Sequence, residues 1–261
     1  MNGMKPLLMG TNLKMYKTAA ETQAYLSALQ TLTQDLRTDT TLFVIPSYPA
    51  LERAANTVKD KAILLGAQNM HPEEQGQFTG EVSPLMLQEF GIDIVEIGHS
   101  ERRHVFHETD EQENKKVLSA LDHGFIALLC AGETAEQKAA GIADEVLSMQ
   151  LKIGLSGARS ETANRIWVAY EPVWAIGVNG VPAPADYVRE RHTSIRRVLT
   201  QLFPAQEIPV LYGGSVNPQN AEELIVQPNV DGLFTGRAAW EAEKFSVLIR
   251  QVLPLWQRKQ S

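Results

Sequence analysis

The chain has 261 residues, 44% of them hydrophobic and 21% charged, with a formal net charge of -7. The length fits the roughly 250 residues of a single (β/α)8 barrel, the balance excludes disorder and a membrane class, and the acidic surplus argues against a nucleic-acid binder. Cys130 is the only cysteine, which excludes an intramolecular disulfide and cysteine-based zinc or iron-sulfur sites; Met1 to Gly10 has no cleavable signal pattern, no apolar stretch nears the ~20 residues of a membrane span, and a cytoplasmic location is expected.

The first apolar run, Leu7–Gly10, reads as a strand, and Tyr25, Leu29, Leu32 and Leu36 then fall on one helix face. Runs at Leu42–Pro46 and Ala62–Ala67 follow, then a helix start at Ser83-Pro84, where a capping hydroxyl precedes a proline. Further runs at Ile92–Ile97 and Phe125–Cys130 precede a helix with Ile142, Val146, Met149 and Ile153 as its apolar face. Runs at Ile166–Tyr170, Pro209–Tyr212 and Gly232–Thr235 complete eight, with a second cap signal at Asn217-Pro218 and a last helix facing inward through Phe245, Leu248, Val252 and Trp256. The runs lack clean alternation, as strands buried on both faces do. Strand and helix alternate eight times without a linker, so the predicted fold class is α/β, a single-domain (β/α)8 barrel over residues 1–261, with an open doubly wound sheet as the runner-up.

In such barrels the working residues sit just past the carboxyl ends of the strands. That rule returns Asn12 and Lys14, Gln68 and Asn69, His99 and Glu101, Glu171, Gly213-Gly214-Ser215 and Gly236-Arg237. The two glycine-rich turns, each leading toward a probable helix, offer backbone N–H groups to an anion and form a candidate phosphate cradle. Glu171 stands before Pro172 and an apolar segment fit to close over it and expel water, which favours a carboxylate base acting beside a carbonyl. His99 stands where a strand gives way to a helix start, a position that disfavours the imidazolium and suits a neutral hydrogen-bond donor. Lys14 supplies a cation for an anionic substrate and a developing enediolate. His104 and His107 lack a third ligand at a standard metal spacing, and neither a dinucleotide fingerprint nor a phosphate-loop lysine motif occurs; no metal and no cofactor are expected.

Gly10–Met15, Glu96–Arg103, Ala169–Gly177, Tyr212–Val216 and Gln68-Asn69 with Gln77–Glu81 together resemble the motifs of the triosephosphate isomerase family, from Gly10 to about Trp240. The resemblance implies an aldose-ketose isomerase with Glu171 as base, His99 as neutral electrophile and Lys14 as cationic stabiliser. It further implies Asn12 as a substrate contact, a phosphate held at Gly177, Ser215, Gly236 and Arg237, and a homodimer formed through the loop containing Thr79. The glutamate, the neutral histidine and the closing lid are established features of that family and are carried over by likeness. Departures are Leu13 in place of tryptophan, Tyr16 in place of asparagine, Val178-Asn179-Gly180 at the end of the lid, and Arg237 in place of a glycine.

The leading expectation is interconversion of dihydroxyacetone phosphate and glyceraldehyde 3-phosphate. Because Gly177–Tyr187 and Gly236-Arg237 resemble bacterial isomerases of four-carbon tetrulose phosphates in erythritol breakdown, that substrate is the alternative. A phosphate-binding barrel without activity is disfavoured by Lys14, His99 and Glu171 occurring together, and metal-dependent hydrolysis, which a chelator would expose, is a third class.

Overall fold

The computed structural model describes residues 5–177 and 180–260. In chain order it contains β1 Leu7–Asn12, α1 Ala19–Leu32, β2 Thr40–Ile45, α2 Leu51–Thr57, β3 Leu64–Ala67, α3 Pro84–Glu89, β4 Ile94–Ile97, α4 Ser100–Val105, α5 Asp110–Asp122 and β5 Ile126–Ala131. The second half continues with α6 Ala135–Ala139, α7 Ala143–Gly154, β6 Ile166–Tyr170, α8 Ala185–Leu202, β7 Val210–Tyr212, α9 Ala221–Ile225, β8 Gly232–Thr235 and α10 Ala242–Lys259. Each strand pairs in parallel with the next, and β1 pairs with β8, so the sheet closes into a barrel. The open-sheet alternative is thereby excluded.

Closure explains why the strands read as continuous apolar runs. Leu7 and Met9 of β1 face the layer between sheet and helices, whereas Leu8 joins Phe43, Ile45, Ile94, Leu128, Trp167, Leu211 and Phe234 inside the barrel. The inner rings pack closely, with Phe43 stacked on Phe234 at 5.5 Å and edge-on to Trp167 at 5.7 Å. Gly10 lies flat against Phe43, and a Cβ there would overlap that ring. Gly10→Ala is therefore expected to cost about 1–3 kcal/mol of stability through overpacking, read from denaturant unfolding; no change in midpoint would refute that packing argument.

The strand starts differ from the apolar runs for identifiable reasons. The N–H groups of Ile92 and Phe125 donate to Leu87 and Ala120 and so close the preceding helices, and Pro209 has no N–H to give. The cap signals sit as expected at Ser83, whose hydroxyl accepts from Met86 N–H. Asn217 Oδ1 accepts from the N–H groups of Gln219 and Asn220, but it caps a turn, and α9 begins only at Ala221.

The faces expected of α1 and α10 are the inward ones, although Leu36 is buried from a 3-10 turn beyond α1. The expected face of α7 is wrong: Ile142 and Met149 are exposed, and the buried stripe is Ala143, Val146, Leu147, Gln150, Leu151 and Gly154. That stripe contains a glutamine whose amide oxygen accepts from the N–H of Gly132 and whose amide nitrogen donates to its C=O, so a polar residue occupies a core position.

Candidate active site at the carboxyl ends of the strands

One cavity of about 810 Å³ opens at the carboxyl ends of the strands. Its lining includes Asn12, Lys14, His99, Glu171, Gly177, Ser215, Gly236 and Arg237, so every residue to which the family resemblance gives a part in catalysis or substrate binding faces one space. Gln68 and Asn69 do not line it: Asn69 Oδ1 accepts from buried Lys116 Nζ at 2.9 Å, away from the cavity.

Glu171 follows β6 and is almost wholly buried. Its N–H donates to Ala131 C=O at 2.8 Å, and two glycines make room for it. A Cβ on Gly132 would overlap the Glu171 carbonyl, and one on Gly213 would lie 2.9 Å from Glu171 Cγ. The carboxylate accepts from Ser100 N–H at 3.3 Å through Oε2, while Oε1 lies 3.8 Å from His99 Nε2.

His99 is the N-cap of α4, and its Nδ1 accepts from Glu101 N–H at 3.2 Å. A nitrogen that accepts carries no proton, so the neutral ring holds its hydrogen on Nε2, the atom facing Glu171 and the cavity. The helix start that the sequence placed here therefore selects the tautomer.

Lys14 adopts the left-handed backbone region at φ +50, a costly conformation for a residue with a Cβ. Three bonds hold it there. Its N–H donates to Asn12 Oδ1 at 2.6 Å, its carbonyl accepts from Gln68 Nε2 at 2.8 Å, and its ammonium pairs with Glu101 at 2.6 Å. Gln68 thus acts on the loop's shape from outside the cavity.

Asn12 is buried and oriented from both ends. Its Oδ1 accepts from Lys14 and Gln68, its Nδ2 donates to Glu96 Oε2 at 2.7 Å, and its carbonyl accepts from Trp240 Nε1 at 3.0 Å. Glu96 was not among the sequence-derived candidates. It lies inside the barrel, fully buried, and burial and then the Glu171 charge hold its carboxyl well above the usual carboxylate range against the Asn12 bond.

Where Gly177 and Arg237 line the cavity, Gly177 has φ +86 and open space around its Cα, and the Arg237 guanidinium donates to its carbonyl at 2.9 Å. The turn after β8 leads into a 3-10 turn, Arg237–Ala239, and the turn after β7 reaches α9 only six residues on, so neither runs straight into an α-helix as expected. Arg237 and Lys244 place two cationic side chains in the lining of the same cavity. The segment after Glu171 is anchored by Glu133, which accepts from Trp174 Nε1 at 2.8 Å and from the hydroxyls of Tyr170 and Tyr187.

Of the sequence departures, Leu13 is buried in the outer layer and does not face the cavity, whereas Tyr16 lines it and packs on Trp240 with centroids 4.4 Å apart. Val178 and Asn179 lie outside the described residues. His104 and His107 are exposed and join no ligand-spaced cluster among the described residues. No helix among the described residues is long and apolar enough to cross a membrane.

A family model described as triosephosphate isomerase matches residues 7–252. The chain is 47% identical to the L-erythrulose-1-phosphate isomerase of Rhizobium etli, over 93% of this chain and 91% of that protein. It is 45% identical to the protein of the same name from Rhizobium meliloti, over 94% and 96%. Among solved structures it resembles the triosephosphate isomerase of Bartonella henselae, with a TM-score of 0.85 and 34% identity over 95% of this chain and 99% of that one. With the family model spanning nearly all of it and a barrel and cavity of matching design, the chain belongs to the triosephosphate isomerase family and is an isomerase.

Proposed function

We propose that the protein isomerises a four-carbon ketose phosphate such as L-erythrulose 1-phosphate through an enediolate. The reading of the chemistry is carried by one observation, the 3.8 Å approach of Glu171 Oε1 to His99 Nε2 at the wall of a single cavity. The preference for four carbons over the three-carbon substrate rests on the relatives, which bear the erythrulose name at 45–47% identity, against 34% for the triosephosphate isomerase structure.

In L-erythrulose 1-phosphate the ketone adjoins the phosphate-bearing carbon, and the next carbon bears a hydrogen, a hydroxyl and a terminal hydroxymethyl group. Glu171 removes that hydrogen as a proton, the electron pair forms the carbon-carbon double bond, and the former carbonyl oxygen becomes an oxyanion. His99 Nε2–H, Lys14 and Asn12 stabilise the oxyanion. Glu171 returns the proton to the former carbonyl carbon while the hydroxyl proton moves between the two oxygens, so ketone and alcohol change places. Dihydroxyacetone phosphate undergoes the same step with one hydroxymethyl group fewer. The phosphate is held by backbone at Gly177, Ser215, Gly236 and Arg237, with the Arg237 side chain at hand. To reach carbon, Glu171 exchanges its bond from Ser100 N–H for the substrate.

The test is a side-by-side kinetic comparison on L-erythrulose 1-phosphate and dihydroxyacetone phosphate. A kcat/KM about 100-fold or more higher for the former is expected, and a preference for the three-carbon compound overturns the substrate assignment.

We further propose that the protein acts as a homodimer through the loop containing Thr79. Supporting this, the loop is exposed, and Phe78, Met15, Leu85 and Met86 leave apolar surface uncovered on the isolated chain. Thr79→Arg is expected to yield monomers in sedimentation velocity and to lower kcat about 100-fold or more, because Lys14 stands next to the almost fully exposed Met15. A fully active monomer would contradict this.

A further inference from the structure

Glu96 is a carboxyl group for which the isomerisation has no direct use, in the most expensive place in the molecule. It projects from β4 into the barrel, below the floor formed by Asn12, His99 and Glu171, and does not line the cavity. One Glu96 oxygen, one His99 nitrogen and one Glu171 oxygen lie within 4.8 Å of one another.

A carboxyl group wholly buried beside the Glu171 charge is disfavoured from ionising, and its partners do little to offset this. Glu171 borders the cavity and accepts a backbone N–H at the start of α4. Among the described residues, Glu96 receives only the Asn12 amide at 2.7 Å and the Cys130 thiol, a weak donor, at 3.9 Å. The one ammonium nearby, Lys14, is paired with Glu101. The remaining titratable groups around Glu96 are Glu101, whose charge also disfavours its ionisation, His99, whose Nδ1 accepts from Glu101 N–H, and Cys130, whose thiol burial pushes up.

We propose that Glu96 is a positioning residue for the isomerisation: as a neutral carboxylic acid beneath the site it fixes the Asn12 amide through its carbonyl oxygen and leaves Glu171 as the only negative charge there. With Glu96 neutral, the Asn12 Nδ2 group keeps one hydrogen on Glu96 and turns the other to the cavity, and Glu171 and an enediolate face no second anion. When Glu96 ionises at alkaline pH, a second negative charge beneath the site opposes formation of the enediolate, so activity falls. The burial of Glu96 and its direction of titration agree with this sign.

The inference rests on the isomerase reading, and the experiment separates the two. The pH profiles of kcat and kcat/KM are measured on L-erythrulose 1-phosphate for wild type, Glu96→Gln and Glu96→Leu. Glutamine keeps an acceptor for Asn12 and cannot ionise, so the alkaline limb moves up by about one pH unit or more, and kcat stands about tenfold above that of the leucine variant, which leaves the amide unpartnered. An active wild type whose alkaline limb coincides with that of Glu96→Gln overturns the Glu96 role and leaves the isomerase reading intact.

The second measurement needs no variant: carbon-13 NMR of wild type labelled at the glutamate carboxyl carbons. Glu113, raised to about 8 chiefly by burial, is the other buried glutamate expected to hold a proton at neutral pH. A carboxyl signal still in the protonated position above the Glu113 transition supports the proposal, and its absence overturns it. This readout stands even if the variants fail to fold or the wild type turns over neither sugar phosphate; the latter result refutes the isomerase reading alone.

Discussion

Glu171→Gln is expected to lower kcat by about 1,000-fold or more while leaving KM within about threefold. Glutamine matches glutamate in shape, and its carbonyl oxygen can still accept from Ser100 N–H, so the barrel and the rest of the cavity have no reason to change. What it cannot do is take a proton from carbon. Because the group is 3% exposed and its backbone is tied to Ala131 and packed against Gly132, the glutamine side chain stays where the carboxylate was. Glu171→Asp retracts the carboxylate by one methylene and is expected to cost about 100-fold, the usual effect of an ångström-scale misplacement. A glutamine variant within tenfold of wild type would mean that the carboxylate is not the base.

The second large effect is expected at a residue that has no side chain, at Gly132→Ala. A Cβ on Gly132 would overlap the Glu171 carbonyl and come within 3.2 Å of Pro172 N. Gly132 cannot retreat, because Gln150 clasps both its N–H, at 2.9 Å, and its C=O, at 3.2 Å. The end of β6 must move instead, and with it the carboxylate. A loss of about 100-fold in kcat/KM is expected, with about 1–3 kcal/mol of stability lost to the same overlap. Normal kcat/KM in a folded Gly132→Ala protein would show that the strand end tolerates the shift and that glycine is not needed there.

These two positions show what was and was not legible in the sequence. The strands are visible because burial on both faces turns each into an apolar run, and the residues just past those runs include every cavity-facing group assigned a role in catalysis or binding except Gly177, which came from the family resemblance. The rule failed where a side chain turned aside. Asn69 sits at a strand end yet points to Lys116, and Gln68 reaches sideways to staple the Lys14 loop. It was blind where chemistry lies inside a run: Glu96 belongs to the strand Ile94–Ile97, and nothing in spacing alone reveals that its neighbours across the barrel are Asn12 and Glu171. A charged residue within an otherwise apolar strand was nonetheless a usable signal, since such a group is tolerated only with a specific partner.

The misjudged face of α7 has the same origin. Gln150 reads as a surface residue, so the periodicity was fitted through Ile142 and Met149, which are exposed. The true stripe carries Gln150 inward to bind Gly132, and places Gly154 where Leu129 comes close. A polar side chain satisfied by main chain is invisible to a pattern of apolar residues. Here it also braces the turn that positions the proposed base, so the error and the functional detail coincide.

The central claim is proton transfer by Glu171 through an enediolate, and turnover in D2O followed by NMR tests it most directly. If Glu171 shuttles the proton, substrate isomerised by the wild-type protein gains solvent deuterium on the reacting carbons, and Glu171→Gln yields neither product nor deuterium. Product formed at the wild-type rate with no deuterium incorporated would mean that hydrogen passes directly between the carbons, and the enediolate mechanism would be contradicted.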